Sequence, residues 1–567
     1  MLPPKKRWMI SPRLPSEVDR ALGEYPALLR QIMFNRGYST PEAARRYLDA
    51  RIPPGTEPDN LTGVAEAVER IQSAIRNNDT IAIYGDYDAD GVTATALLVS
   101  VLKQLGADVI GYIPNRFDEG YGLNFEALNS LYSQNVRLVI TVDCGIRSIP
   151  EAEHARRIGL DLIISDHHHP SNDLPPAIAI INPKQPGDAY PEKDLAGVGL
   201  AYKLASALMG TDYVMENYLD LVALGTVADL APLIGENRAL VRAGLKQIQQ
   251  PIRQGVMALI GASGLKPNRL NATDIGFVLG PRLNAAGRLD SALAALELLL
   301  TQDVYKAANL AQKLDKQNRE RQQITREIQA LAEQLAFAEK ADHLLLIAVH
   351  PSFNPGVVGL AASKLTDLYY RPAIVAHQGE EYTRGSCRSI PEFHITQALD
   401  QCADLLEHHG GHAAAAGFTV NNANLPGLVE RLQLIAEQEL SQLDLRPVLY
   451  ADAEIPLSEH KPEVLRYLER LQPTGYGNRQ AYFVTRDLKV TSYRLVGKDG
   501  AHLRLSVTDG WITYDGIAFQ QGHWFEKMPT RIDTLHSFEE NEYNGNKTLQ
   551  LNIRDLKPTE TAEENVR

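Results

Sequence analysis

The chain reads as a multidomain α/β protein: a parallel-sheet domain, a long connecting helix, a second α/β domain and a C-terminal β-barrel. Three observations predict this. Between about 80 and 185, five apolar runs, IAIYGD, DVIGYIP, RLVITVDCG, LDLIISDHHH and AIAIINP, alternate with helix-forming stretches, which is the pattern of a parallel sheet covered on both faces. From about 302 to 338 the sequence has no Gly or Pro and a strong helix-forming composition. From about 446 onward, short alternating runs such as HLRLSVTDG and ITYDGIAFQQG read as strands.

At 567 residues the chain exceeds one core and divides into several domains. We place them at 1–75 (a helical lead-in), 76–300 (parallel sheet), 301–340 (long helix), 341–442 (second α/β domain), 443–558 (barrel) and 559–567 (an acidic, disordered tail). With 44% hydrophobic and 22% charged residues and no apolar run of about 18 residues, no membrane span is expected. The N-terminus MLPPKKRWMISPRLP has basic residues without an apolar core behind them, so it does not read as a secretory signal and a cytoplasmic location is expected. Cys144, Cys387 and Cys402 are odd in number and widely spaced, which argues against a disulfide framework or a zinc knuckle. A net charge of −13 disfavours non-specific duplex binding, but a groove lined by a few Arg and Lys can still guide a single strand.

In chain order, the lead-in shows Leu28, Leu29, Ile32 and Met33 spaced for one buried helical face and Pro41 at a helix start. The first strand runs into Asp86, Asp88 and Asp90. On an extended chain these alternate positions put three carboxylates on one side, with Gly91 letting the backbone turn into the helix that follows. Such crowded charges call for a hard divalent cation, although an acidic turn that caps a helix has the same composition. Asp143 ends the third strand, and Asp166, His167, His168 and His169 end the fourth, so these groups share one rim, the edge where ligands bind in parallel sheets. Asp229, after the apolar run 219–227, is a further candidate, though alone it reads as a cap or turn residue. A mixed Asp and His set suits two Mn²⁺ or Mg²⁺ ions better than a structural zinc, and paired metals are a standard device for phosphoester hydrolysis.

The 302–338 segment is expected to form one helix of roughly 50 Å, or a hairpin broken near Asn318. In the second α/β domain, Arg384, Ser386, Arg388 and Ser389 supply polar side chains on one extended segment, and Gly410, Gly411 and His412 a turn rich in backbone amides. Both are good phosphate ligands, or else an ordinary exposed strand and turn. The C-terminal strands make a small barrel, for which the oligonucleotide-binding fold is expected, with Asn544-Gly545 as a hairpin turn. Tyr493, Arg494, Lys498 and His502 offer a face on which a single strand could stack, and protein docking is the alternative.

The strings YGDYDADGVTATALL, TVDCGI, DHHHP followed by INPK, and VALGTVADLAPL resemble the four motifs of the DHH phosphoesterase superfamily. RLNAAGRLD, RGSCRSIP, GGHAAAAGF and PTGYGN resemble its RecJ branch, single-strand-specific 5′→3′ DNA exonucleases. The similarity runs from about 80 to 555, and it implies a DHH domain, a DHHA1-like second domain and an OB-fold barrel. It implies two Mn²⁺ or Mg²⁺ ions held by Asp86, Asp88, Asp90, Asp143, His167 and Asp229. It also implies His168 as proton donor or transition-state stabiliser, with Asp166 orienting the histidines, and Asn284, Arg288, Ser386, Arg388, Ser389 and His412 as phosphate or strand contacts. Cys387 stands where the family often has glycine, which would narrow the phosphate pocket slightly. The substrate implied is single-stranded DNA with a 5′ end, released as 5′-mononucleotides in repair and recombination. A single-strand-binding protein and a helicase are the implied partners, and a monomer the implied state. Two rivals stand beside this reading: a phosphodiesterase of short oligonucleotides or cyclic dinucleotides, and a non-catalytic scaffold.

Overall fold

A computed structural model of the chain describes residues 4–115, 122–210, 215–289, 291–338, 342–543 and 546–559. All five expected strands form: β2 (Thr80–Gly85), β3 (Val109–Tyr112), β4 (Val136–Val142), β5 (Asp161–Ser165) and β6 (Ala179–Ile181), after an N-terminal β1 (Arg7–Ile10). They pair in the order β3-β2-β4-β5-β6, all parallel. Alternation sends Ile81, Ile83, Leu138 and Ile140 to one face, packed with Leu97, Leu98 and Leu204, and Ala82, Tyr84, Val139 and Ile164 to the other, packed with Leu128 and Leu131. Both faces are dry, so the runs read as continuously apolar.

The register aligns the carboxyl ends of the strands. Gly85 lies opposite Val142, Val142 opposite Ser165, and Ser165 opposite Ile181. The next residues, Asp86, Asp143, Asp166 and Asn182, therefore stand side by side along the carboxyl edge.

The connecting segment is one helix, Val304–Ala336, and no break occurs near Asn318. Its first half buries Ala307, Ala311 and Leu314 in the core of the first domain, and its second half buries Ile328, Ala332 and Ala336 in a core of the second. Between them Asp315 is paired to Arg282 at 2.9 Å. The second domain carries β7 (Leu346–His350), β8 (Ala373–Gln378), β9 (Tyr382–Arg388), β10 (Leu406–His412) and β11 (Ala415–Asn421) in the order β10-β11-β9-β8-β7.

Short strands β12 (Val448–Ala451) and β13 (Ala453–Glu454) lead to β14 (Phe483–Val496), β15 (His502–Thr508), β16 (Thr513–Ala518), β17 (Arg531–Tyr543) and β18 (Asn546–Pro558). These last five pair as β14-β15-β16-β18-β17, and a β14 to β17 ladder closes the barrel. The expected Asn544-Gly545 turn and residues 560–567 of the expected tail lie outside the described residues, while the flanking strands pair in antiparallel register.

The lead-in was expected to be helical throughout. Among its described residues four α-helices form (Ser16–Ala21, Ala27–Asn35, Pro41–Asp49 with Pro41 in its first turn, and Val64–Asn77, which runs just past its end), but Arg7–Ile10 is a strand paired in parallel with β12. Arg238, buried and stacked 4.3 Å over Tyr47, donates to the carbonyls of Tyr47, Arg470, Leu471 and Pro473. One guanidinium thus joins the lead-in, the first domain and the approach to the barrel.

Candidate active site

The acidic loop after β2 does not stay extended. Asp86 follows the strand end, Asp88 is the N-cap of the helix Ala89–Gln104, and Asp90 lies in its first turn. Asp88 Oδ1 accepts from the N–H groups of Asp90 (2.9 Å) and Gly91 (3.1 Å). The strand alternation expected over Asp86, Asp88 and Asp90 is therefore not the geometry they adopt: the helix begins early because Asp88 caps it. Gly91 is not the turn either. It sits inside the helix, and a Cβ there would lie 2.5 Å from the Asp86 backbone nitrogen.

Asp90 is fully buried, and its two oxygens accept from Gly197 N–H (2.7 Å) and Val198 N–H (2.8 Å), at the start of the helix Gly197–Met209. A Cβ on Gly197 would come within 2.8 Å of Asp143 Cβ. The GVG stretch, which sequence reading passed over, is what lets a helix terminus close in on the carboxylates. Asp143 holds a left-handed backbone (φ 64), a strain typical of functional turns. Asp229 caps the C-terminus of the helix Leu219–Ala228, as its sequence context indicated, and also faces the rim.

The groups converge on His167. Its Nε2 lies 3.0 Å from Asp143 Oδ1, 3.6 Å from Asp229 Oδ2 and 4.0 Å from Asp90 Oδ2. Three sets have ligand atoms within 4.8 Å of one another: Asp86, Asp88 and Asp143; Asp90, His167 and Asp229; and Asp143, His167 and His168. All six expected ligands are thereby brought together. Asp143 Oδ1 and His167 Nε2 are buried and make no hydrogen bond, although they are near enough. Lone-pair atoms aimed at a common space, among carboxylates, fit a pair of hard cations.

Electrostatics agree. Burial and then the charge of Asp88 push Asp90 up to about 7, and burial and then Asp90 push Asp229 up to about 9. Asp143 rises well above the carboxylate range for the same reasons. Burial, followed by His168, holds His167 down to about 3, so this ring is neutral, as a ligand must be.

Asp166 is buried and acts differently. Its Oδ1 accepts from His168 N–H (3.0 Å) and lies 2.7 Å from His168 Nδ1, while Oδ2 accepts from Ile146 N–H (3.0 Å). Burial alone would raise its pKa, but these bonds outweigh it and lower it. For His168 the opposite holds: burial lowers, and the bond to Asp166 more than restores, leaving the ring above its ordinary value. His169 is exposed, and its carbonyl accepts from Arg147 Nε (2.8 Å).

The remaining predicted contacts divide. Asn284 Oδ1 accepts from Ala89 N–H (2.6 Å) and so braces the acidic loop. Arg288 reaches the second domain, donating to Gly356 O (3.3 Å). Ser386 and Arg388 lie on one face of β9, with Arg388 Nη1 3.4 Å from Ser386 Oγ, against the first turn of the helix Val358–Tyr369. Cys387, between them, points into the core, so it does not narrow that face. Ser389 Oγ donates to Phe393 O (2.7 Å) and is engaged in its own turn. His412 is exposed at the end of β10.

A parallel sheet at whose carboxyl edge six aspartates (Asp86, Asp88, Asp90, Asp143, Asp166 and Asp229) and two histidines gather defines a metal-dependent phosphoesterase of the DHH class. Models of the DHH family N-terminal domain, the DHHA1 domain and the RecJ OB domain match residues 80–226, 342–441 and 451–555. The single-stranded-DNA-specific exonuclease RecJ of Salmonella typhimurium is 34% identical over 98% of this chain and 100% of its own. That of Bacillus subtilis is 38% identical over 99% of this chain and 72% of its own. A crystal structure of RecJ in complex with Mn²⁺ from Thermus thermophilus superposes with a TM-score of 0.84 at 31% identity, covering 98% of this chain and 80% of that one. The chain belongs to the RecJ family.

Proposed function

We propose that the protein is a divalent-metal-dependent exonuclease that degrades single-stranded DNA from its 5′ end to 5′-mononucleotides, in DNA repair and recombination. The observation that carries this reading is the convergence of Asp86, Asp88, Asp90, Asp143, His167 and Asp229 on one space, where Asp143 Oδ1 and His167 Nε2 are buried without a hydrogen bond. These residues would hold two Mn²⁺ or Mg²⁺ ions. When bound, such a pair lowers the pKa of a water and neutralises charge on a phosphoryl group.

The chain's own residues do the rest. Asp166 fixes the His168 ring through Nδ1, and the ring so oriented would donate a proton to the leaving oxygen. Arg288 bridges to Gly356 and so sets the acidic rim against the Ser386 and Arg388 face, where a guanidinium and a hydroxyl suit a terminal phosphate. Ser389 and His412 belong to the same proposed face, Ser389 bounding it with its N–H on Ala414 O (2.9 Å) and its hydroxyl on Phe393 O (2.7 Å). Asn284 holds the acidic loop through its oxygen, which leaves its amide to meet the strand backbone. Tyr493, exposed on the barrel, offers a stacking surface for bases farther along.

The same reading makes the protein a cytoplasmic monomer, served by a single-strand-binding protein and a helicase that present the strand. Among the described residues no helix is long and apolar enough to cross a membrane. The test is hydrolysis, with Mn²⁺, of a long 5′-phosphorylated single strand, the same strand as a blunt duplex, and a dinucleotide. The long single strand should be degraded fastest; equal rates on the duplex would refute the assignment, and preference for the dinucleotide would favour the small-substrate rival. Arg388→Ala should reduce the ratio of 5′-phosphorylated to 5′-hydroxyl rates by about 10–150-fold, as expected from roughly 1.5–3 kcal/mol for a charged hydrogen bond.

A further inference from the structure

The loop bearing Asp166, His167 and His168 is tied through its backbone to the segment that leaves the edge strand β6. Asp166 N–H donates to Ile181 O (3.1 Å), Lys184 Nζ donates to His167 O (2.8 Å), and Asn182 Nδ2 donates to His168 O (2.9 Å). Three successive residues are thus each held by a residue between 181 and 184. Register explains why: Ser165 lies opposite Ile181, so Asp166 and Asn182 leave neighbouring strands side by side.

Both side chains are themselves fixed. Asn182 is fully buried, and its Oδ1 accepts from Lys184 N–H (2.8 Å), so the amide is anchored at both ends. Lys184 is ion-paired with Asp194 at 3.5 Å. A buried asparagine and an ammonium spent on two consecutive peptide carbonyls control how the following side chains project.

We propose that Asn182 and Lys184 are positioning residues of the metal-dependent reaction. Lys184 sets the depth at which His167 meets Asp90, Asp143 and Asp229, and Asn182 sets His168 in the orientation that its bond to Asp166 completes. The proposal rests on the two-metal reading above. It gives the INPK segment, which carries no ligand, a role in the site.

The experiment uses the full chain, with circular dichroism and melting curves to count folded molecules. Mn²⁺ affinity is measured by calorimetry or electron paramagnetic resonance, and kcat and KM on a 5′-phosphorylated strand at saturating Mn²⁺. Lys184→Met should weaken Mn²⁺ binding by about 10–100-fold, with Lys184→Arg restoring most of it, the range seen for partners that orient metal ligands. Asn182→Ala should lower kcat by about tenfold with KM unchanged and Mn²⁺ affinity within about threefold of the wild type, because His168 and not His167 is released. Asn182→Asp keeps the volume and the acceptor but loses the donor, and it should show the same kcat loss if the alanine variant folds poorly.

Variants that melt earlier yet keep wild-type Mn²⁺ affinity and kcat per folded molecule would make both residues structural and overturn the proposal. A rise in KM alone for Lys184→Met would make Lys184 a strand contact and overturn its positioning role. Failure of the wild-type chain to bind Mn²⁺ would instead defeat the metal reading beneath it.

Discussion

Among the described residues, histidine rings touch one another at two places, and their surroundings give the two pairs opposite characters. At the rim, His167 and His168 have ring centroids 4.5 Å apart among carboxylates. In the barrel domain, His460 and His536, the latter on β17, have centroids 4.9 Å apart, with Nε2 atoms 2.7 Å from one another. His168 rests its Nδ1 on the Asp166 carboxylate and is raised above its ordinary pKa. His460 rests its Nδ1 on the Leu457 carbonyl (3.2 Å), and burial takes it down to about 4. His536, wholly buried, is held well below the usual value by burial and then by His460. What the other ring nitrogen touches decides whether an imidazole serves as an ionisable group or as a neutral cross-link.

The largest effect should come from breaking the rim pair. His167→Ala should reduce turnover by more than about a thousandfold, since even outer partners of metal ligands are worth about 10–100-fold. Strand binding and melting temperature should stay near wild type, because His167 makes no internal hydrogen bond through Nε2. Single-turnover kinetics and a filter-binding titration would check this; retained turnover would remove His167 from the metal set. Asp88 is a less clean target than it looks. It caps the helix Ala89–Gln104, so Asp88→Ala carries a folding cost of about 1 kcal/mol on top of lost chemistry, whereas Asp88→Asn keeps the cap.

Replacing the anchor that separates the two pairs should have a smaller effect. Asp166→Asn gives His168 an amide in place of a carboxylate, and whichever way the amide turns it sets an NH₂ against Ile146 N–H or the His168 side. We expect kcat to fall about 10–100-fold, with Mn²⁺ affinity little changed because Asp166 is not among the ligands. Equal losses in Asp166→Asn and His167→Ala would mean that Asp166 itself holds a cation.

The sequence disclosed the sheet, the long helix and the barrel because each depends on local period: continuous apolar runs for buried parallel strands, an unbroken helix-forming stretch, and short alternating runs. It disclosed the carboxylates and histidines because strand ends in register present their next residues together. What it hid depends on contacts between distant segments. No periodicity in RWMI announces that β1 will pair with Val448–Ala451, nor in GVGL that Gly197 will admit a helix terminus to Asp143. The polar run Arg384 to Ser389 looked uniform, yet Ser389 leaves β9 and turns its hydroxyl to Phe393. Asn182 and Lys184 belong to the INPK motif, but their purpose shows only once β6 lies beside β5.

The smallest effect should appear as a pH dependence of stability from the barrel pair. A carbonyl only accepts, so His460 Nδ1 carries the proton, its Nε2 accepts, and His536 Nε2–H donates to it. Protonating His460 sets a second N–H against His536 Nε2–H at that contact, and protonating His536 puts its new proton on Nδ1, beside Thr534 Oγ1 (3.0 Å) in a site without a carboxylate. Both pKa values are depressed, so the unfolded chain binds protons that the folded chain refuses, and stability falls as pH drops from about 6.5 toward 4. At 1.36 kcal/mol per unit, His460 alone contributes roughly 3 kcal/mol across that window. Urea denaturation of the metal-free protein at pH 7 and pH 5, compared with a His460→Leu/His536→Leu variant, isolates the pair from other titrating groups. The wild type should lose more stability than the double variant over this interval. Equal losses would mean that the two rings accept a proton between them in the folded state, and that the absence of a carboxylate is not what keeps them neutral.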